Sequence, residues 1–172
     1  MNKLLSYCFL FFVVPMFSQT NIYDISRSGE LEALQNIYKQ SPELINTTNN
    51  KGYSPLVLAT YHGHTDAVDF LLDHGAEANT NSLYGTPLMA AVVKGYYEIS
   101  ERILQSDVDV NGSDQNGTTA LHYAVMYKNY NLTKLLVLYK ANPLIKDNRG
   151  VTPLDYANMY KDKELQNLLT KI

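Results

Sequence analysis

The sequence predicts an all-α repeat solenoid of helix-turn-helix units with projecting β-turn fingers. The first observation is a recurring stretch. Gly117-Thr118-Thr119-Ala120-Leu121-His122-Tyr123-Ala124 is echoed upstream by Gly52-Tyr53-Ser54-Pro55-Leu56-Val57-Leu58-Ala59 and Tyr84-Gly85-Thr86-Pro87-Leu88-Met89-Ala90-Ala91. It returns downstream as Gly150-Val151-Thr152-Pro153-Leu154-Asp155-Tyr156-Ala157. The second is the period: Ser54, Thr86, Thr119 and Thr152 are separated by 32, 33 and 33 residues. Units of that length bury their apolar faces only by stacking on their neighbours. The third is a second apolar segment and a turn behind every copy.

Residues 1–18 stand apart. Lys3 precedes an apolar run from Leu4 to Phe17, broken by Ser6, Tyr7, Cys8 and Pro15, and no acidic residue appears before Asp24. A short basic start, an apolar middle and a small residue at the exit is the layout of a secretory signal peptide. The run falls short of the ~20 residues a spanning helix needs. Cleavage is expected after Ser18, although Met16 stands where a smaller residue is usual. The mature chain is then exported, periplasmic or extracellular, with no membrane insertion, and the brevity of the signal fits a bacterial source. Removal also takes away Cys8, the one cysteine of the chain, which suits an oxidising compartment.

Residues 19–48 read as a capping unit. Ile22, Ile25 and Gly29 hold the register of a first helix, and Leu31, Leu34, Ile37 and Tyr38 supply a second. Asp24, Ser26, Arg27, Glu30, Glu32, Gln35 and Asn36 give it the polar outer face that a terminal unit needs.

Three internal units follow, at 49–80, 81–113 and 114–146, and a C-terminal capping unit spans 147–172. In each, the Ser or Thr hydroxyl caps a helix start, and proline suits the first helical position in three of the four. The Leu and Ala that follow face neighbouring helices. Helix one ends at Gly63 and Gly95, where glycine takes a left-handed conformation; Lys128 and Lys161 occupy that register later. Second helices are marked by Ala67, Val68, Leu71 and Leu72, by Ile99, Ile103 and Leu104, by Leu132, Leu135 and Leu136, and by Leu165, Leu168 and Leu169. The loop before Thr86 is one residue shorter than the others, so the finger at 81–85 is expected to be displaced.

These units resemble the ankyrin repeat, with its Thr-Pro-Leu-His signature and its Gly-Ala-Asp-Val-Asn turn, seen here as Gly75-Ala76-Glu77-Ala78-Asn79 and Asp107-Val108-Asp109-Val110-Asn111. The resemblance covers roughly residues 20–172. It implies that His122 is a structural histidine bonding between adjacent repeats, a role for which Val57, Met89 and Asp155 are unsuited. It also implies that partners are gripped by finger tips and by the exposed side of the first helices, lined up as a concave groove. Small bacterial proteins of this kind are linked to stress defence and toxin neutralisation.

The residues offer no competing chemistry. A net charge of −3 gives no electrostatic footprint for nucleic acid or an anionic membrane. His62, His64 and His74 lie near Asp66 and Asp73, but His62 and His64 straddle a helix break and do not predict a metal site. No nucleophile-and-base pair, nucleophile elbow or phosphate loop is present. Asp107 and Asp109 fall in a turn, where Asp satisfies backbone donors, and Glu98 and Glu101 lie on a helix exterior. No enzyme activity, metal or cofactor is expected.

What remains is surface. The resemblance places Asn50, Lys51 and Tyr53, then Ser82, Leu83 and Tyr84, then Gln115, Asn116 and Thr118, and finally Asn148, Arg149 and Val151 on fingers. It places Tyr61 and His62, Val93 and Lys94, Met126 and Tyr127, and Met159 and Tyr160 at exposed first-helix ends. Tyr and Met are enriched in interface cores; tyrosine also serves as amphipathic cover over a neighbouring helix, and the chain holds 14 of them. The partner reading requires that Tyr127 and Tyr160 expose their rings. It assigns Tyr53, Tyr61, His62, Leu83, Tyr84, Lys94, Met126, Tyr127, Arg149, Met159 and Tyr160 to a protein partner. The expected function is a monomeric, non-enzymatic protein-binding scaffold; the alternative is a dedicated inhibitor or immunity-type protein.

Overall fold

Helix pairs joined by tight turns follow one another along the chain. The computed structural model describes residues 21–83 and 85–170; the expected signal segment and Tyr84 lie outside the described residues. The pairs are α1 (Ile22–Ser28) with α2 (Leu31–Gln40), α3 (Pro55–His62) with α4 (Thr65–Asp73), α5 (Pro87–Lys94) with α6 (Tyr97–Leu104), α7 (Ala120–Met126) with α8 (Tyr130–Leu138), and α9 (Pro153–Met159) with α10 (Lys163–Thr170). After α2 the chain makes a short 3-10 helix, Pro42–Asn46. First helices pack in series, α1 on α3, α3 on α5, α5 on α7 and α7 on α9. Second helices form a parallel row behind them. The chain is therefore a two-layer, all-α stack.

Local chemistry sets the helix starts. The side-chain oxygens of Ser54, Thr86, Thr119 and Thr152 accept from the backbone N–H three residues on, at 3.3, 3.3, 3.4 and 3.0 Å. Ala59, Ala91, Ala124 and Ala157, in equivalent positions, are all fully buried. A larger side chain there would push the stacked helices apart. Leu56, Leu88 and Leu121 complete the seam, each stabilising the stack by about 1.5–3 kcal/mol through apolar burial.

At the ends of α1 and α3, the next unit dictates the residue type. Gly29 and Gly63 are left-handed, and a Cβ on them would lie 2.4 Å from the His64 ring and 2.8 Å from the Tyr96 ring. Lys128 and Lys161 adopt the same handedness, both at φ 52°. A left-handed L-residue costs about 1–2 kcal/mol, against about 0.5–1 kcal/mol of extra chain entropy lost by glycine. Lys128→Gly should therefore raise stability by about 0.5–1 kcal/mol, seen as a higher melting temperature; an unchanged or lower one would contradict the strain argument.

The loops are stitched by an asparagine ladder. Asn46 Nδ2 donates to Gly75 O (3.0 Å) while its Oδ1 accepts from Glu77 N (2.9 Å). Asn79 does the same with Asp107 O (2.9 Å) and Asp109 N (2.7 Å), and Asn111 Oδ1 accepts from Asn142 N (2.8 Å). The fingers of the first, third and fourth copies close over five residues, as in Asn49 N to Tyr53 O. The short second finger closes over four, with Ser82 and Gly85 exchanging both backbone bonds. The missing residue thus tightens that finger.

Candidate partner-binding face

At the N-terminal end of the array, one cleft is walled by two first helices and a finger together. It is lined by Tyr23 and Arg27 of α1, by Asn49 and Lys51 of the first finger, and by Tyr61 and His62 of α3, with a volume of about 390 Å³. Further along, the end of each first helix carries the side chains that the sequence singles out.

Met126 and Met159 are the last residues of α7 and α9, and Tyr127 and Tyr160 are their C-caps. Tyr127 is 59% exposed, Met159 59% and Tyr160 39%. The two tyrosine rings lean back on the preceding turn of their own helices: Tyr127 stacks on Tyr123 at 6.4 Å between centroids, and Tyr160 lies 6.2 Å from Tyr156. Met126 is half-buried against the core. Lys94 and Lys128 hold their ammonium groups over aromatic faces, 4.6 Å from the Tyr61 centroid and 5.3 Å from that of Tyr160, a favourable cation–π arrangement. Leu83 stands out from the second finger at 64% exposure.

Two assigned residues sit differently. Tyr53 is buried, in a small cluster with Val57 and Leu58 against which Tyr23 packs. The finger folds its tyrosine back over the gap between α1 and α3 instead of presenting it. Arg149 is exposed but already engaged: it donates to the buried Asp147 carboxylate through Nη2 at 2.8 Å and Nε at 3.1 Å, and its guanidinium also meets Tyr156 Oη. Tyr84 lies outside the described residues.

The fourth finger is tied to the helices by a buried polar network. Asp147 Oδ1 accepts the backbone N–H groups of Arg149 (2.9 Å) and Val151 (3.0 Å), and Oδ2 accepts the Tyr156 hydroxyl at 3.1 Å. Burial pushes the carboxyl up, but these donors outweigh it and bring its pKa down to about 2. Asp114 repeats the arrangement, taking the Tyr123 hydroxyl at 2.7 Å; burial and that bond push the Tyr123 phenol up to about 12. His122 accepts the Thr119 N–H at Nδ1 (3.0 Å), which leaves Nε2 to donate to Val151 O of the next unit at 3.2 Å. Burial holds this imidazole below its ordinary value, in keeping with the neutral tautomer. Asp155, in the equivalent position, closes a capping box with Thr152.

Two of the other histidines are held by backbone carbonyls: His64 Nε2 bonds Arg27 O of the preceding unit at 2.8 Å and His74 Nδ1 bonds Phe70 O at 2.7 Å. Among the described residues no three metal-ligating side chains converge, and no helix is long and apolar enough to cross a membrane.

Ankyrin-repeat profiles match residues 22–114, as three copies, and residues 103–157, as many copies. The chain belongs to the ankyrin repeat family. Alpha-latrotoxin-Lhe1a of Latrodectus hesperus is 30% identical over 112 residues, 62% of this chain and 8% of that protein. Probable E3 ubiquitin-protein ligase XBOS32 of Oryza sativa subsp. japonica is 28% identical over 123 residues, covering 70% of this chain and 25% of the ligase. Ankyrin repeat and SAM domain-containing protein 6 of Rattus norvegicus is 30% identical over 108 residues, 62% of this chain and 12% of that protein. The chain thus spans a quarter or less of these curated relatives.

One feature of the ankyrin array escaped the sequence reading. Tyr97 and Leu138 are exposed on the second helices and line a shallow apolar hollow with Leu135 and Val137. Leu138 follows core Leu135 and Leu136 in an unbroken apolar run, so helical periodicity was the only signal that could have turned it outward.

Proposed function

We propose that this ankyrin-repeat chain is a non-enzymatic, exported scaffold that binds a protein partner along its first-helix and finger face. The observation that carries the reading is the exposed row of Tyr127, Met159 and Tyr160 at the ends of successive first helices. Tyr127 and Tyr160 cap their helices through the backbone alone, and none of the three side chains belongs to the core. Large amphipathic side chains in that setting are characteristic of interface hot spots. The relatives support binding rather than a shared reaction: their names describe a toxin, a probable ubiquitin ligase and an ankyrin repeat and SAM domain-containing protein, and what the alignments share is the array. Export rests on the layout of residues 1–18.

The test is a capture from the host's envelope fraction, followed by titration of the identified protein. Tyr127→Ala/Met159→Ala/Tyr160→Ala should lower affinity about thirtyfold or more while the circular dichroism spectrum and melting temperature stay near those of the unsubstituted chain. Equal affinity would move the site off this face. A captured partner whose toxic or enzymatic activity stops on binding would make the chain a dedicated inhibitor.

A further inference from the structure

We infer that the segment received by this face is an acidic polypeptide stretch that alternates carboxylate with apolar side chains; the inference rests on the binding reading above and adds the chemistry of the partner. The starting observation is that a chain of net charge −3 concentrates its acidic groups on the second helices, although Lys39, Arg102, Lys134 and Lys163 lie there too. Asp66, Asp69, Asp73, Glu98 and Glu101 all lie on second helices. Lys51, Lys94, Lys128 and Lys161 lie on the first finger and at first-helix ends.

Pairing sharpens the contrast. The acidic groups on the first-helix side are engaged: Asp24 by Arg27 at 2.5 Å, Asp147 by Arg149 and Tyr156, and Asp114, Asp155 and Asp162 by the hydroxyls of Tyr123, Thr152 and Tyr130. The four lysines make no ion pair among the described residues, although Asp162 lies within the field of Lys128. Ammonium groups outside any ion pair, on an otherwise acidic molecule, attract and orient an acidic partner.

The spacing says what kind of acidic partner. The cations do not form a continuous stripe; they alternate with Tyr61, Tyr127, Met159 and Tyr160, and two of them rest on tyrosine faces. A carboxylate can reach an ammonium while its neighbour packs on the ring beside it. At the N-terminal end, the cleft between α1 and α3 sets the rings of Tyr23 and Tyr61 beside Lys51, with Arg27 held by Asp24 on its wall, which leaves Lys51 to meet an acidic side chain on an apolar stem. Lys128 and Lys161 keep a left-handed backbone where the preceding units have glycine, a strained choice that places two more cations on this face.

Nucleic acid fits poorly, because the molecule's overall charge opposes a polyanion. A second copy would have to offer its acidic second-helix side, a head-to-tail contact that does not close and extends into filaments.

The experiment selects a displayed library of random peptides against the full chain and titrates the enriched ones. We expect Asp and Glu interleaved with Leu, Phe or Tyr, and affinity that falls about tenfold between about 0.05 M and about 0.3 M salt. Lys94→Glu/Lys128→Glu/Lys161→Glu should weaken these peptides about tenfold or more, with an unchanged melting temperature. Lys134→Glu/Lys140→Glu, on the other side, should leave binding intact. Neutral or basic peptides that are lost on Tyr127→Ala/Tyr160→Ala would overturn the acidic inference and keep the binding face. Acidic peptides indifferent to both the lysine and the tyrosine substitutions would overturn both. A library yielding no binder, or a chain that sediments as growing oligomers dispersed by the lysine substitutions, would overturn the acidic-segment inference.

Discussion

Asp147→Ala is expected to lower stability by about 2–4 kcal/mol, because it strands several buried donors at once. The N–H groups of Arg149 and Val151 and the hydroxyl of Tyr156 all end on this one carboxylate, and Tyr156 is itself buried. Val151 also accepts from His122, so the loss reaches the preceding unit. Urea denaturation at neutral pH measures it; a loss under about 1 kcal/mol would mean that water replaces the carboxylate without penalty.

Acid should expose the same network. The Asp147 pKa is lowered to about 2, so its stabilisation is complete above the unfolded value of about 3.9 and is lost as pH falls through the folded one. His122 is also lowered, by burial, so the folded chain resists a proton that the unfolded chain accepts below about 6.5. Stability should therefore decline in two stages, first below about pH 6.5 and again below about pH 4. Asp147→Asn should shrink the second stage, to which Asp155 and Asp162 also contribute, and leave the first. A stability that rises on acidification, or a second stage undiminished in Asp147→Asn, would contradict the assignment.

The parts of this fold that were legible in the sequence are those set by one residue at a fixed offset. The hydroxyl caps, the buried alanines and the left-handed helix ends all repeat with the period, and the helices stand where that period puts them. Features that need two positions read together were missed. Asp114 with Tyr123 and Asp147 with Tyr156 are each nine residues apart, whereas the first copy pairs Asn49 with Leu58. An amide that caps its own finger needs no hydroxyl nearby, but a buried carboxylate does, so the two residue types change together. The ladder of Asn46, Asn79 and Asn111 also sat in plain register, yet bonds between loops about thirty residues apart leave no hydrophobic periodicity to detect.

The proposed binding face was partly legible for the same reason. Tyr127, Met159 and Tyr160 occupy first-helix ends that the framework leaves free, and the rings stand out. Tyr53 was misplaced because residue type does not say whether a finger presents its ring or folds it home. Charge sorting went unread because net charge averages the two sides of the stack.

Gly63→Ala should cost about 2–4 kcal/mol, of which only part is the left-handed backbone. Gly63 is at φ 78°, and an added Cβ would lie 2.8 Å from Tyr96 Cζ and 2.9 Å from its Oη. Tyr96 is the N-cap of α6 and packs against the core, so the ring has to shift at the junction of two units. Gly95→Ala provides the comparison: its φ is 75°, but the nearest atom to its Cβ is Asn129 Nδ2 at 3.9 Å, leaving only the backbone cost of about 1–2 kcal/mol. The difference between the two losses isolates the collision with Tyr96, and Gly63→Ala made together with Tyr96→Ala should recover it as coupling between neighbours. Equal losses for Gly63→Ala and Gly95→Ala would show that the tyrosine ring yields freely. Glycine would then be required there by backbone conformation alone, the requirement that Lys128 and Lys161 already meet in the later units at φ 52°.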